Sequence, residues 1–462
     1  MTALHHLSAL WNDANLPADA LGDVYLTGSD PVLPSSFAVG TAAQVSIAAS
    51  ALAAATVWRL RGGRRQVVSV AMRHAATEFQ SERFAGIEGH ARKDPWDPIA
   101  GAYLCGDGRW VRIHTNFPHH RDGILRILGC DYDRQAVAAA LKSWTAFAFE
   151  DAAAAADMCA TAMRTFAEWD AQPQGQAVVS QPLVKVTRIG DAPARGLAPA
   201  GRPLSGVRVL DLTRVIAGPV CGRTLAAHGA EVLAIASPNL PNLPSLVVDT
   251  GRGKRSANLE LRDQGDNDRL KALLSQADIF VQGYRPGGLA ALGFSPQDAA
   301  RLRPGIVYVS LSAYGHAGPW SARRGFDSLT QTATGMNHAE AQAVGQTEPR
   351  ALPCQALDHA SGYFLAFGAL VALTRRMREG GSWHVQVSLA RTGRWIRDLG
   401  RVPDGFASPA PTAADVAELI ETTDAPGLGR VHAVRHAAEL GDTPAHWDRP
   451  PVPLGTDTAT WL

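Results

Sequence analysis

The sequence predicts an α/β protein in which a large domain with a parallel sheet is accompanied by a smaller α+β domain. Three observations support this fold class. Strands and helices alternate after residue 206, a hairpin followed by helices occupies residues 95–190, and a Pro- and Gly-rich segment, residues 191–205, separates the two as a predicted linker. The chain of 462 residues is long enough for two or three domains.

Residues 206–395 are predicted to form the large domain because short apolar runs alternate with helical segments. The predicted strands are Val207–Leu212, Ala230–Ala236, Asp278–Gln282, Ile306–Leu311 and Trp383–Leu389. The predicted helices are Gly222–His228, Leu270–Gln276, Pro296–Leu302 and Asp358–Met377. This alternation is typical of a parallel sheet with helices on its faces.

Residues 95–190 are predicted to form the small α+β domain. Two apolar runs within Tyr103–His114 flank Gly106-Asp107-Gly108, which indicates a hairpin. The helices predicted after it are His120–Leu128, Arg134–Ser143 and Phe149–Thr165.

The remaining segments are an N-terminal extension (residues 1–30), a helix and strand segment similar to part of a large domain (31–94), and a C-terminal tail that returns to the large domain (396–462). Within the second of these, a small-residue helix, a Gly-Gly turn and a strand follow one another, as they do in residues 354–389. This predicts an internal repeat, in which Gln44 falls at the position of Asp358. The alternative is that two unrelated helix–turn–strand units look alike.

Charge and cysteine usage limit the classes of partner. Lys and Arg number 44 and Asp and Glu 43, with no basic tract, so neither nucleic acid nor an anionic membrane is expected as a main partner. The five cysteines are scattered and form no CxxC pair, which favours a reducing, cytoplasmic location without disulfides or zinc. The N-terminus has no signal-peptide pattern. Phe37–Trp58 and Ala356–Leu373 are apolar but interrupted by polar residues, and are predicted to be buried helices.

Asp358 is the residue that the sequence singles out for chemistry. It stands at the start of a long apolar helix, where free backbone N–H groups and the helix dipole favour an ionised carboxylate. A simple capping role is the alternative, because Asp is a preferred N-cap residue.

Three turns are candidates for ligand contact. Thr213–Pro219 follows the first strand, where α/β folds bind ligands, but it has neither the GxGxxG nor the P-loop pattern. Residues 251–256 form a short basic turn that suits phosphate or simple solvation equally. Tyr314–Pro319 is a Gly-rich turn that allows close approach to a ligand. The 15 histidines show no metal-binding spacing, so no metal is expected.

Motifs along the large domain resemble one known family. The run Gly206-Val-Arg-Val-Leu-Asp-Leu-Thr-Arg-Val-Ile-Ala-Gly-Pro219 is similar to the opening of class III CoA-transferases, the CaiB/BaiF family. Further similar pieces follow in the family's order: Arg252–Ser256, Tyr284–Gly287, Leu292–Phe294, Val307–Ser310, Tyr314–Pro319 and Gly325–Asp327. Asp358 then falls where the family has its nucleophilic aspartate.

The resemblance implies a Rossmann-like large domain and an acyl-CoA transferase that acts through a covalent intermediate on Asp358. It implies that coenzyme A is a substrate and not a permanently bound cofactor, and that a carboxylic acid is the other substrate. The residues implied to bind coenzyme A are Arg214, Val215, Ala217, Lys254, Arg255, Tyr284, Arg285, Tyr314 and Gly315. The resemblance implies a homodimer, because members of the family are often homodimers, and a monomer is the alternative for this chain.

The chain departs from the family in the order of its parts. Residues 95–190 resemble the family's small domain but precede the large-domain opening, so the chain resembles two partial copies joined near residue 200. Ser237 stands where a basic residue often helps to bind the nucleotide, and Gly283 replaces an asparagine.

Two other functions are weighed. A racemase-like isomerase is the first, but its histidine is replaced by Phe326, which cannot transfer protons. A non-catalytic protein that binds CoA esters is the second. Ser237, which replaces a basic residue that often helps to bind the nucleotide, favours this second function. The retained Asp358 opposes it.

Overall fold

The computed structural model describes residues 1–91 and 96–462. The predicted boundary between residues 94 and 95 lies outside the described residues. The helices are α1 Ala3–Asp13, α2 Val39–Leu60, α3 Met72–Glu78, α4 Ser81–Phe84, α5 Pro118–Leu128, α6 Arg134–Leu141, α7 Ala146–Ala155, α8 Phe166–Ala171, α9 Pro173–Val179, α10 Ala217–Ala227, α11 Pro244–Thr250, α12 Gln264–Leu274, α13 Pro296–Leu302, α14 Asp327–Ala333, α15 Met336–Ala343, α16 Ala356–Glu379 and α17 Leu389–Asp398.

The strands form one large sheet and three small ones. They are β1 Val24–Thr27, β2 Val68–Ala71, β3 Gly86–Ile87, β4 Gly101–Leu104, β5 Trp110–Ile113, β6 Ala160–Ala162, β7 Lys185–Gly190, β8 Arg208–Leu212, β9 Glu231–Ala236, β10 Lys254–Asn258, β11 Ile279–Gln282, β12 Val307–Ser312, β13 Ser382–Ser388, β14 Ile420–Ala425, β15 Gly429–Val434 and β16 Ala438–Leu440.

The large sheet has the order β10-β9-β8-β11-β12-β13-β7. Its first six strands are parallel, and their order along the chain is the 3-2-1-4-5-6 order of the Rossmann fold. The seventh strand, β7, pairs antiparallel with β13 and comes from the end of the small domain's segment. The predicted fold class, a Rossmann-like parallel sheet with a smaller α+β domain, is confirmed.

Two predicted elements were wrong. The basic turn at residues 251–256 runs into β10, an edge strand whose Lys254 lies opposite Val232 of β9. The prediction missed this strand because its charged side chains, which find partners elsewhere in the fold, hide the strand pattern. The helix predicted over Phe149–Thr165 ends at Ala155, and Asp157 adopts a left-handed conformation (φ 61°). The residues after it form β6, which pairs with β5 and completes the small sheet.

Helix α16 is the centre of the large domain. It packs against α2 and α10 and against strands β12 and β13. In the described part of the chain, Val39–Leu60 and Ala356–Glu379 are long and apolar enough to cross a membrane, but 94% and 100% of their most apolar windows are buried inside the protein. Core helices meet the same criterion. The prediction that these two segments are buried helices is confirmed.

The chain segments on either side of the large domain are joined to it and to each other. The C-terminal strand β16 pairs with β2 of the N-terminal segment. The buried guanidinium of Arg61, at the end of α2, donates to the carbonyl oxygens of Ala198 (2.9 Å) and Pro203 (2.9 Å), so it holds the segment that leads into β8. In the small domain, β4, β5 and β6 form an antiparallel sheet.

The contact between α16 and α10 gives a test of this packing. A Cβ atom added at Gly362 would lie 2.6 Å from the carbonyl oxygen of Ala217 and 2.7 Å from Val220, so the two helices would have to move apart. We expect Gly362→Ala to lower the free energy of unfolding by about 1–3 kcal/mol, measured by urea denaturation. Gly196→Ala, at an exposed position with open space around it, is the matched control. Equal stability of the two variants would contradict the close contact.

Candidate functional site

The carboxylate of Asp327 caps the helix that carries Asp358. Asp327 begins α14, and one of its oxygens accepts the backbone N–H groups of Leu357 (2.8 Å) and Asp358 (2.9 Å). The side-chain amide of Gln331 donates to its other oxygen. Because Asp327 satisfies the first turn of α16, the carboxylate of Asp358 is not the cap. Asp358 is only 8% exposed.

The surroundings of Asp358 disfavour its ionised form. Burial raises the pKa of Asp358 well above its ordinary value, and the negative charges of Asp327 and Glu82 raise it further. Burial also raises the pKa of Asp327 to about 6, against the opposing effect of the N–H groups that it accepts. The expectation that the helix terminus keeps Asp358 ionised is therefore wrong, since the N–H groups responsible are bonded to Asp327.

The N-terminal segment closes one side of this carboxyl pair. His359, next to Asp358 in α16, places its Nε2 2.9 Å from the Glu82 carboxylate of α4. Its ring stacks on Phe79, with ring centroids 5.4 Å apart. The immediate environment of Asp358 is thus built from both halves of the chain.

A cleft opens at the carboxyl ends of β8, β9 and β10, where parallel α/β sheets bind ligands. Its cavity volume is about 70 Å³. Its lining includes Phe117, Thr213, Arg214, Val215, Ser237, Leu243, Lys254, Ser256 and Leu454. Asp358 does not belong to the lining, but α10, whose first turn borders the cleft, packs on α16.

Three of the residues predicted to bind coenzyme A line the cleft. The guanidinium of Arg214 lies over the Phe117 ring, 4.7 Å from its centroid, and donates to the carbonyl of Pro241. Val215 has a positive φ of 73°, which turns the chain into the start of α10 at Ala217.

Lys254 reaches the cleft but is already paired. Its Nζ lies 2.7 Å from the Asp211 carboxylate and 2.8 Å from the carbonyl oxygen of Pro219, and both charged side chains are buried. Because side chains alternate along a strand, the next residue, Arg255, points away from the cleft. Arg255 donates to the carbonyl oxygens of Thr458 (3.2 Å) and Thr460 (2.6 Å) in the C-terminal tail.

The remaining predicted residues lie at the contact with the small domain or beside an apolar cluster under β8, β9 and β11. Arg285 pairs with Asp157 of the small domain at 2.6 Å. Tyr314 is buried, and its carbonyl oxygen accepts the side-chain amide of Gln174 at 2.7 Å. The N–H of Gly315 donates to the Ser312 hydroxyl.

Tyr284 is half-buried and packs against the apolar cluster under β8, β9 and β11. The predicted set therefore divides: Arg214, Val215 and Lys254 share one cleft with the start of α10, whereas the others stand apart from it.

The N-terminal segment repeats the capping arrangement of α16. The carboxylate of Asp30 accepts the backbone N–H groups of Gly40 (3.0 Å) and Thr41 (2.8 Å) at the start of α2. The residues before the two helices, Ala38 and Gln355, have matching backbone angles (φ −76°, ψ 61° and φ −76°, ψ 62°). By this geometry Thr41 occupies the position of Asp358.

The predicted alignment of Gln44 with Asp358 was therefore wrong by three residues. The Gln44 amide donates to the carbonyl oxygens of Thr27 (2.9 Å) and Val70 (2.8 Å), so it joins α2 to the small sheet. The sequence signal for the true register is Gly28-Ser29-Asp30, which matches Gly325-Phe326-Asp327.

Sequence reasoning also missed two residues beside Asp358. Asp327 was noticed only as part of a motif, although an Asp that precedes a helical segment is a capping signal. Glu82 had no sequence signal, because it approaches Asp358 only through tertiary packing of α4.

The Rossmann-like sheet and the cleft beside it define an α/β protein of the kind that binds ligands at the ends of its strands. The chain belongs to CoA-transferase family III, whose model matches residues 13–195 and 204–399. An acetyl-coenzyme A transferase of Hypoxylon pulicicidum is 33% identical over 240 residues, covering 51% of this chain and 39% of that protein. A probable fatty acyl-CoA transferase of Mycobacterium tuberculosis is 34% identical over 201 residues, covering 41% and 50%.

A hypothetical protein from Mycobacterium tuberculosis with a known crystal structure is 32% identical in sequence to this chain. The structural match has a TM-score of 0.40 and covers 43% of this chain and 59% of that one. The chain spans about half or less of the length of the two relatives described above.

The coupling of the two carboxyl groups gives a pH test. Asp327→Asn keeps an oxygen that accepts the N–H groups of α16 but removes the negative charge, so the pKa of Asp358 should fall by roughly one unit. Carbon-13 NMR titration of the Asp358 carboxyl, assigned with Asp358→Asn, measures it. Asp263→Asn, at the N-cap of α12, is the control and should leave the pKa unchanged. A pKa of Asp358 that stays the same or rises in Asp327→Asn would contradict the coupling.

Proposed function

We propose that this protein is an acyl-CoA transferase that moves CoA from an acyl-CoA donor to a carboxylic acid acceptor, with Asp358 as the nucleophile. The observation that carries the proposal is that Asp327 already caps α16, so the Asp358 carboxyl is not needed for the helix. A buried carboxyl with a raised pKa and no structural duty is typical of functional sites. Family membership and the names of the relatives support the same reaction class.

The proposed reaction conserves the thioester bond energy through covalent steps. A carboxylate oxygen of Asp358 attacks the thioester carbonyl, the C–S bond breaks, and CoA leaves as a thiolate with a mixed anhydride left behind. The thiolate then attacks the aspartyl carbonyl, and the donor acid leaves as a carboxylate. The acceptor carboxylate attacks the aspartyl-CoA thioester and forms a second anhydride. The thiolate attacks its acyl carbon, which yields the new acyl-CoA and restores Asp358.

The cleft beside β8–β10 is the proposed site of the CoA nucleotide. The start of α10 borders it, and a helix N-terminus stabilises phosphate groups through its free N–H groups and its dipole. Arg214 supplies a positive charge at the same place. Lys254 acts through its ion pair with Asp211, which holds β8 and β10 together under the cleft.

The raised pKa of Asp358 suits a nucleophile of this kind once the proton has left, because a more basic carboxylate is a stronger nucleophile. The negative charge of Asp327 adds to burial in raising the pKa of Asp358, so Asp358 loses its proton only above the ordinary pH range of a carboxyl group. The rate of anhydride formation should therefore rise with pH through the titration of Asp358.

Three further expectations belong to the same proposal. The family matches on two segments of the chain, which supports an origin from two partial copies. The capped helices α2 and α16 have the same local geometry, but Thr41 cannot act as the nucleophilic carboxylate, so one reactive site per chain is proposed. The free cysteines among the described residues are consistent with the proposed cytoplasmic location, and a monomer or a homodimer both accommodate the site.

A protein that binds CoA esters without turnover is the second candidate. The observation in its favour is that Lys254, Arg255 and Arg285 are each paired with a carboxylate of the chain, the last of them at the surface. It predicts binding without any covalent adduct.

Mass spectrometry after incubation with a panel of acyl-CoAs tests the two candidates. We expect one acyl or CoA adduct per chain on Asp358, which hydroxylamine converts to a hydroxamate, and none in Asp358→Ala or in the isosteric Asp358→Asn. Thr41→Ala is the matched control at the repeated position and should label as fully as the unaltered protein. Binding of acyl-CoA without an adduct or thiol exchange would overturn the transferase proposal and leave the binding protein.

A further inference from the structure

The small domain presents a positively charged face to the elements that hold Asp358. Strand β5 alternates: Val111 and Ile113 are buried in the core of the small domain, while Arg112 lies on the opposite face. Just after the strand, the ring of His114 stacks on Phe326 with centroids 3.7 Å apart. Phe326 precedes Asp327, so this face lies next to the carboxyl pair.

Arg112 has an unusual lack of partners. Its Nε is buried and has no hydrogen-bond partner among residues 1–91 and 96–462. Its one described contact is with the ring of Trp96, 5.4 Å from the centroid. An unpaired charge in a partly buried place is costly unless a ligand or counter-charge completes it.

Burial lowers the pKa of Arg112, and the negative charge of Asp327, the nearby carboxylate, offsets part of that effect. Its oxygens are, however, already bonded to the start of α16 and to Gln331, and Arg112 lies beyond ion-pair distance from it among the described pairs. The charge of Asp327 therefore stabilises the Arg112 guanidinium from a distance, and the N–H donors of the guanidinium stay available.

The residues near Arg112 include two further arginines. Arg214 and Arg324 also have buried Nε atoms that find no partner in the described residues. Arg324 approaches the Nε2 of His120 at 3.0 Å, and Arg214 lies over the Phe117 ring. Burial lowers the pKa of His114 and of His120 to about 3, so both imidazoles are neutral and the arginines carry the charge.

We propose that Arg112 binds a carboxylate at the far end of the acid substrate, so that the acids this protein exchanges are dicarboxylic acids. This inference rests on the proposed function, because it places the reacting carboxyl group at Asp358. A guanidinium matches a carboxylate with two parallel hydrogen bonds, and it recognises a planar anion better than lysine does. The acyl group of the donor and the acceptor acid occupy the same place in turn, so one arginine serves both.

The first experiment measures binding without chemistry. Isothermal titration calorimetry of the full chain compares succinate and glutarate with butyrate and pentanoate, and with inorganic phosphate. We expect the dicarboxylates to bind at least about tenfold more tightly than the monocarboxylates of the same length, and Arg112→Met to remove that difference. Arg126→Met, an exposed arginine of the same domain, is the matched control and should retain it.

The outcomes of this experiment separate the sources of the anion. Equal affinity for mono- and dicarboxylates in the unaltered protein, a measurement that needs no variant, overturns the proposal. Phosphate or CoA affinity that falls in Arg112→Met while dicarboxylate affinity does not also overturns it, and assigns Arg112 to the nucleotide.

The second experiment distinguishes failure of this inference from failure of the proposed function. Where Asp358 forms an adduct, Arg112→Met should raise KM for dicarboxylate acceptors at least tenfold and leave adduct formation with a monocarboxylyl-CoA within about threefold. Equal losses with both kinds of acid overturn the role of Arg112 but leave the transferase intact. Absence of the Asp358 adduct in the unaltered protein, together with tight dicarboxylate binding, overturns the transferase and leaves the anion site.

Discussion

The hydrogen bonds from the first turn of α16 to the Asp327 carboxylate are the interaction on which the site depends. A helix start buried in the core needs acceptors for its free N–H groups, and Asp327 provides them. Two consequences follow from this one contact. The carboxyl of Asp358 is relieved of capping, and a second negative charge is fixed beside it, so its pKa rises. Position and reactivity of the proposed nucleophile thus come from the same bond.

The core places this helix where both halves of the chain meet. Helix α16 packs between α2 of the N-terminal segment and α10 of the Rossmann sheet. The same carboxylate cap recurs at α2, where Asp30 holds Thr41, but a hydroxyl there cannot replace the carboxyl of Asp358. The repeated unit therefore contributes packing and the Glu82 carboxylate, while the Rossmann half contributes the cleft.

Charged residues near the sheet divide into two groups with different duties. Lys254 and Arg255 neutralise carboxylates or join the C-terminal tail, because buried cations need partners. Arg112, Arg214 and Arg324 keep unbonded Nε atoms at the contact between the domains. The second group gives this contact a positive charge, to which the small domain contributes Arg112 and the large domain contributes Arg214 and Arg324.

The sequence by itself determined the parallel sheet and the long helix that carries Asp358, because apolar periodicity is a local pattern. The role of Asp358 as the nucleophile came from the resemblance to the family and stays a prediction. The sequence also predicted that α2 and α16 are buried. Only the tertiary structure decided that Asp327 and not Asp358 caps α16, that Thr41 and not Gln44 is the repeated position, and that Lys254 faces the cleft. The capping of α16 and the pairing of Lys254 depend on groups far apart in the chain, for example Leu357 with Asp327 and Lys254 with Asp211. The register at Thr41 depends on a nearer residue, Asp30. Burial and pairing of that kind leave no periodic trace in the sequence.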